Sequence, residues 1–408
     1  MSTLALLGGE PIVKKRLGST WPVFGAAEEK LLMEAFRSGK WCRLVYKEKD
    51  VQSMVTRFED AFAAYCGTAY AVAVTNGTQA LECALKAAGV KPGEEVIVPA
   101  LTFVATATAV LLVGAKPVIV DVDPATYNMN PAAAEAAITP RTKAIIPVHN
   151  GGYPADMDRI NAIAAKYGLR VIEDCAHAHG SEWKGKRAGS LGHFGCFSFQ
   201  QGKTMTAGEG GIVLTNDKEL ADLAYSFHNI GRVAGRPFTD FYNVASNLRM
   251  TEFQGAVLLG QLSRLDEQIE IRERNIAYLA EGMQTIAGVK PLRRTPEVTR
   301  WSFYYWNFHY RAAELDNLPR HVFIEAMEAE GVPVMRGAHG NPIYHHPVLK
   351  TNSDVIVADC PEAERIAATE ALALGHAVLL AEKEDMDLIL AAMEKISHHA
   401  GELLKRVG

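Results

Sequence analysis

No apolar stretch in the 408-residue sequence reaches the roughly 18 residues that a membrane-spanning helix requires, so none is expected. The opening MSTLALLGGEPIVKK has too short an apolar run for a signal peptide, which points to a cytoplasmic protein. Cysteine is sparse. The six residues Cys42, Cys66, Cys83, Cys175, Cys196 and Cys360 contain no CxxC pair and no His-rich metal spacing, so reduced, mostly buried thiols are expected, with no metal site and no disulfide framework. Basic charge is not concentrated either: 42 Lys and Arg against 47 Asp and Glu are spread along the chain, giving a net charge of −5. That distribution offers no stripe to neutralise a phosphate backbone, and nucleic acid is not an expected partner. Internal repeats and low-complexity linkers are absent as well. With 48% hydrophobic and 22% charged residues, the composition is that of a chain that folds throughout.

The length exceeds what one core usually supports, so two domains are expected. From about residue 70 to 215, short Val- and Ile-rich runs alternate with Ala-rich segments, the pattern of βα units around a mainly parallel sheet. Strands are predicted over 70–75, 95–99, 116–120, 144–148, 170–173 and 211–215, and helices over 77–88, 155–167 and 217–227. Beyond Thr251 a long helical pattern leads into a different texture, with an aromatic strand at 302–309 and helices at 321–330 and 384–397. The reading is an α/β chain with an N-terminal arm (1–25), a large domain (26–262) and a small C-terminal α+β domain (263–408).

Three segments carry chemistry. In Phe197-Ser-Phe-Gln-Gln-Gly-Lys203-Thr-Met-Thr-Ala-Gly-Glu-Gly-Gly211, a lysine occupies a Gly-rich connection between two strand-like runs. Desolvated there, its amine would have a lowered pKa and could attack an aldehyde to form a Schiff base; left in a loop, it would be an ordinary solvated lysine. In Val171-Ile-Glu-Asp174-Cys-Ala-His177-Ala-His179-Gly180, a buried strand delivers acidic and imidazole groups at its carboxyl end, where open α/β sheets bind ligands. Asp174 there could hold a proton on a pyridine nitrogen or could merely cap a turn. In Ala71-Val-Ala-Val-Thr75-Asn-Gly77-Thr78-Gln-Ala-Leu81, a strand runs through a Gly turn into a helix N-terminus, which suits a phosphate, although Thr75 or Thr78 could equally be a plain cap.

Taken with TFVATATA, GEGG and Ser246-Asn-Leu-Arg-Met-Thr-Glu252, these segments resemble, over nearly the full length and in the same order, the DegT/DnrJ/EryC/StrS family of sugar and cyclitol aminotransferases. The resemblance implies the fold-type I architecture of pyridoxal-phosphate enzymes. It implies that Lys203 is the Schiff-base lysine and Asp174 the partner of the cofactor's ring nitrogen. Gly77, Thr78 and Ser198 would then hold the phosphate, and Phe103 would cover one face of the ring, the alternative being a core aromatic. His177 stands where many members have a glutamine that serves the cofactor's phenolate oxygen. Asn247 corresponds to an asparagine supplied to the phosphate by the neighbouring subunit, which implies a homodimer with shared sites; alternatively, it caps the long helix.

The wording SFQQGK, TAGEGG, AHAHG and Gly375-His376-Ala-Val-Leu-Leu-Ala381 is most similar to glutamine-dependent aminotransferases of keto-cyclitols and to aminohydroxybenzoate synthases, whereas His149-Asn-Gly-Gly-Tyr153 departs from them. The implied reaction is a ping-pong transfer from L-glutamine or L-glutamate to a keto-cyclitol or keto-sugar, nucleotide-linked sugars being an alternative acceptor. Arg43, Arg249, His345, His346 and His376 are unranked candidates for gripping the substrates. A sugar dehydratase would require a residue other than lysine at 203. A non-catalytic regulator would leave Lys203 without a role.

Overall fold

Valine- and isoleucine-rich runs build the interior of an eight-stranded sheet, whose order is 70–74, 211–215, 194–198, 170–174, 142–145, 95–99, 116–120 and 356–357. This is seen in a computed structural model that describes residues 3–45 and 52–407; residues 1–2, 46–51 and 408, which fall in the expected arm and the two expected domains, lie outside it. Val96, Ile97 and Val98 have no exposed surface, and each such side chain contributes about 1.5–3 kcal/mol by burial. Strands Glu95–Pro99, Lys116–Val120 and Gly211–Thr215 have the predicted bounds. The fourth runs Thr142–Ile145, two residues earlier than predicted at its start and three at its end.

Every pairing in this sheet is parallel except those of Gly211–Thr215, which runs antiparallel to both neighbours. The cause is the connection. Strand Phe194–Ser198 reaches Gly211–Thr215 through a Gly-rich loop with no helix to carry the chain across a face, so the chain reverses. Lys203 sits in that loop.

The long helical pattern after Thr251 is two helices, Glu252–Leu262 and Leu265–Gly282. They part where Ser263 N–H and Arg264 N–H bond to the carbonyls three residues back, Gly260 and Gln261, instead of four. The first starts with a capping box, in which Thr251 Oγ1 accepts from Gln254 N–H and the Gln254 side chain accepts from Thr251 N–H. Thr251, not Asn247, is therefore the cap. Downstream, a four-stranded antiparallel sheet forms in the order 289–291, 305–310, 371–375 and 334–336. The predicted aromatic strand and the two C-terminal helices appear as Tyr305–Tyr310, Arg320–Ala329 and Lys383–His398. No helix of the described residues is long and apolar enough to cross a membrane.

Strand Arg170–Asp174 directs its last two carboxylates to different surroundings, because consecutive side chains leave a strand on opposite faces. Glu173, fully buried, accepts from the backbone N–H groups of Gly189, Leu191 and Gly192 at 2.7–2.9 Å and from His149 Nε2 at 3.0 Å. His149 Nδ1 in turn accepts from Ala155 N–H. His149, Glu173 and Cys175 lie close enough to ligate a metal, but the imidazole and both carboxylate oxygens are already engaged in these bonds. Replacing Glu173 with Ala would leave those donors buried without a partner. The expected loss is about 3 kcal/mol or more of unfolding free energy by denaturant titration, and a loss below about 1 kcal/mol would contradict this role.

Candidate active site

The carboxyl ends of the parallel strands open onto a cavity of about 870 Å³. Strand 70–74 delivers Asn76, Gly77 and Thr78 to it, strand 95–99 delivers Thr102 and Phe103, strand 170–174 delivers Asp174 and His177, and strand 194–198 delivers Ser198 and Lys203. The structure thus brings seven of the eight sequence-predicted site residues, all but Asn247, to one cavity.

At its floor, Asp174 Oδ2 accepts from Thr106 Oγ1 at 2.8 Å, and Thr106 accepts in turn from Thr102 Oγ1 at 2.9 Å. Asp174 Oδ1 accepts from Ala176 N–H at 3.2 Å. Burial pushes the Asp174 carboxyl up, while Thr106, the Ala176 amide, Lys203 and His149 oppose that shift. Lys203 Nζ lies 4.4 Å from the centre of the Tyr304 ring. Burial lowers its ammonium to about 8, against the pull of Asp174, which favours the charged form. A lysine in this state is uncharged in about one molecule in ten at pH 7, against fewer than about one in a thousand for an ordinary lysine, and only the uncharged amine is a nucleophile.

His177 is buried and stacked between Tyr304 (ring centres 4.3 Å apart) and His339 (4.9 Å). Neither of its nitrogens has a hydrogen-bond partner among the described residues, and burial holds the ring well below its usual pKa, so it is neutral. Helix Gly77–Ala87 begins so close to Ser198 that a Cβ on Gly77 would stand 2.6 Å from Ser198 Cβ, which is why only glycine fits. Asn76 caps this helix by accepting from Gln79 N–H, which leaves the role of cap to neither Thr75 nor Thr78. A helix start, a hydroxyl and a tight glycine at one point form a cradle for an anion.

Phe103 is 57% exposed at the cavity wall, so the alternative of a core aromatic is wrong. Asn247 is exposed and does not line its own chain's cavity; its Oδ1 accepts from Arg249 N–H. The unranked substrate-gripping candidates lie elsewhere. Arg43 is paired with Glu59, Arg249 donates to Asn229, His345 is bonded to Glu364, and His346 is exposed. His376 is buried and does not line the cavity; its Nε2 donates to the Gly202 carbonyl at 3.0 Å and so helps fix the loop before Lys203.

Of the cavity residues not expected from the sequence, Thr106, Tyr304 and His339 touch the expected ones. Thr106 lies within the TFVATATA segment, where nothing signals its bond to Asp174. Tyr304 immediately precedes the strand Tyr305–Tyr310 and is one ring among several in that aromatic run. His339, flanked by glycines in Gly337-Ala-His-Gly340, does carry a signal: an imidazole in a turn otherwise built for glycine.

Residues 26–394 match the sequence profile of the DegT/DnrJ/EryC1/StrS aminotransferase family. The chain is 41% identical to the 3-amino-5-hydroxybenzoate synthase of Amycolatopsis mediterranei, over 90% of this chain and 94% of that protein. It is 37% identical to the L-glutamine:scyllo-inosose aminotransferase of Streptomyces griseus, over 98% and 99%. Among solved structures, it is similar to that of a 3-amino-5-hydroxybenzoic acid synthase, with a TM-score of 0.84 and 38% identity, covering 94% of this chain and 99% of that one.

The electrostatics of the cavity predict a pH dependence that can be measured without turnover. In protein stripped of cofactor, modification of Lys203 by an amine-specific reagent, followed by peptide mass spectrometry, should have its midpoint near 8. Asp174→Asn removes the anion that favours the ammonium and leaves burial unopposed, so the midpoint should move to lower pH. A midpoint near the ordinary 10.5, or an upward shift in the variant, would contradict the coupling.

Proposed function

Because the chain belongs to the DegT/DnrJ/EryC1/StrS aminotransferase family and is a pyridoxal-phosphate-dependent aminotransferase, we propose that it transfers an amino group from L-glutamine or L-glutamate to a keto-cyclitol or keto-sugar, in a ping-pong reaction carried by Lys203. The observation that carries this reading is a desolvated amine on a half-buried lysine, lowered to about 8, with a buried aspartate in the same cavity at the carboxyl ends of the sheet. When bound, the cofactor supplies an aldehyde and an electron-accepting ring.

The residues present fit that group. The two nitrogens of buried His177 await a partner, and the glycine at residue 77 brings a helix start against Ser198. Gly77, Thr78 and Ser198 would hold the phosphate, Phe103 would cover one ring face, and His177 would serve the phenol oxygen. Asp174 would face the ring nitrogen, oriented by the Thr102–Thr106 hydroxyl chain. Lys203 would attach the cofactor and, once displaced by the donor, move the substrate's proton on Nζ. A cytoplasmic setting agrees with the free state of all six cysteines.

A second reading, an aminohydroxybenzoate synthase, is favoured by the 41% identity to the Amycolatopsis mediterranei protein. A screen of glutamine, glutamate and alanine against scyllo-inosose, its deoxy analogue and nucleotide keto-sugars, read by mass spectrometry, separates the readings. An aminated cyclitol or sugar is expected, absent with Lys203→Ala. No amination of any of these ketones would overturn the proposed acceptor class.

We further propose a homodimer in which Asn247 serves the neighbouring subunit's phosphate, which agrees with its exposure away from its own cavity. Lys203→Ala and Asn247→Asp are each expected to be inactive, the second because it sets a like charge beside the phosphate. Mixed dimers carry both lesions in one site and leave the other intact. Activity should therefore return to about a quarter of wild type after random subunit exchange. No recovery, with heterodimers demonstrated by differently tagged subunits, would place each site within one chain.

A further inference from the structure

The strand ends supply every group assigned above to the cofactor within one chain, whereas Tyr304 and His339 line the same cavity from the later part of the chain and are assigned no role above. His339 is the more unusual of the two. It and Ala338 occupy consecutive left-handed backbone positions (φ 62° and 49°), a conformation that non-glycine residues rarely adopt. The turn is held by Gly337 N–H donating to the Ala371 carbonyl and Ala338 N–H donating to Asn307 Oδ1. Glycines at 337 and 340 bracket the strained pair, yet an imidazole is kept at the centre of the turn.

That imidazole is oriented from three sides: stacked on His177 at 4.9 Å, edge-on to Tyr305 at 5.6 Å and tilted to Phe103 at 6.2 Å. It lines the cavity, and its Nε2 is buried without a partner among the described residues. We propose that His339 determines acceptor specificity by hydrogen-bonding a ring hydroxyl of the ketone, an inference that rests on the keto-cyclitol or keto-sugar reading.

Two features select a hydroxyl over a carboxylate. Burial lowers His339 to about 3, so the ring is neutral, with one nitrogen that donates and one that accepts. A hydroxyl matches both capacities, whereas a carboxylate only accepts and is bound best by a cation. The amino donor carries no ring hydroxyl, so the two half-reactions should depend on His339 differently.

The test is His339→Phe, which keeps an aromatic ring against His177 and removes both nitrogens. His339→Asn, a residue that tolerates the left-handed backbone, guards against a folding defect. The expected result is a loss of roughly tenfold or more in kcat/KM for the ketone. The rate at which L-glutamine bleaches the cofactor's visible band should stay within about threefold of wild type. Calorimetric binding of the unreactive polyol scyllo-inositol to the holoenzyme should weaken in parallel, with Tm unchanged.

Equal losses in both half-reactions, or no loss in ketone turnover and polyol binding, would overturn the proposal. If wild type aminates no cyclitol, the acceptor class fails separately, and the same comparison on the ketone it does aminate still decides the role of His339.

Discussion

Two adjacent carboxylates on one buried strand, forced to opposite faces by the pleat, are the constraint on which the molecule is arranged. Glu173 points to the side where three backbone amides and His149 satisfy it, and this ties the 189–192 loop to the sheet. Asp174 points to the cavity with, among the described residues, Thr106 and the Ala176 amide as its only hydrogen-bond donors. A buried carboxylate so lightly satisfied is expensive unless a positive charge stands near it, and Lys203 supplies that charge. The dependence is mutual: burial drives the lysine toward its neutral form and the aspartate holds it partly protonated. An amine balanced in this way can attack when neutral and carry a proton when charged.

The loop that bears Lys203 is fixed by contacts from distant parts of the chain. Trp21 Nε1 donates to the Gln201 carbonyl at 2.8 Å, and His376 Nε2 donates to that of Gly202. On the far side, the fully buried guanidinium of Arg272 donates to the Ser302 carbonyl at 2.9 Å, two residues before the ring on which Lys203 rests. The lysine is thus positioned by elements that meet only when the whole chain has folded.

Local sequence encodes the strand ends of this site but not the groups that pack onto them from afar. Of the strands that end at the cavity, 70–74, 95–99 and 170–174 are legible from their apolar residues, whereas 194–198, interrupted by Gly195, is not among the predicted strands and shows only as a strand-like run before Lys203. Lys203, Asp174, Gly77 and Ser198 lie at or just beyond strand ends, within a few residues of those runs. The antiparallel direction of 211–215 is not legible because it depends on a loop forming no helix, and the break at Ser263 is not because apolar spacing continues across it. Tyr304 and His339 owe their place to the packing of one part of the chain on another, which no local periodicity encodes. For Phe103, the apolar neighbours leave the alternative of a core aromatic open beside the ring-covering role that the resemblance implies. Only the cavity beside it leaves it exposed.

The central claim, that Lys203 is the residue to which the cofactor attaches, is tested most directly by reducing the holoenzyme with borohydride and mapping its peptides by mass spectrometry. Reduction fixes the attachment as a stable secondary amine. The account predicts the added phosphopyridoxyl mass on the peptide containing Lys203 and on no other. Its recovery on a different lysine, or its absence from a preparation with full absorbance in the visible band, would contradict the account.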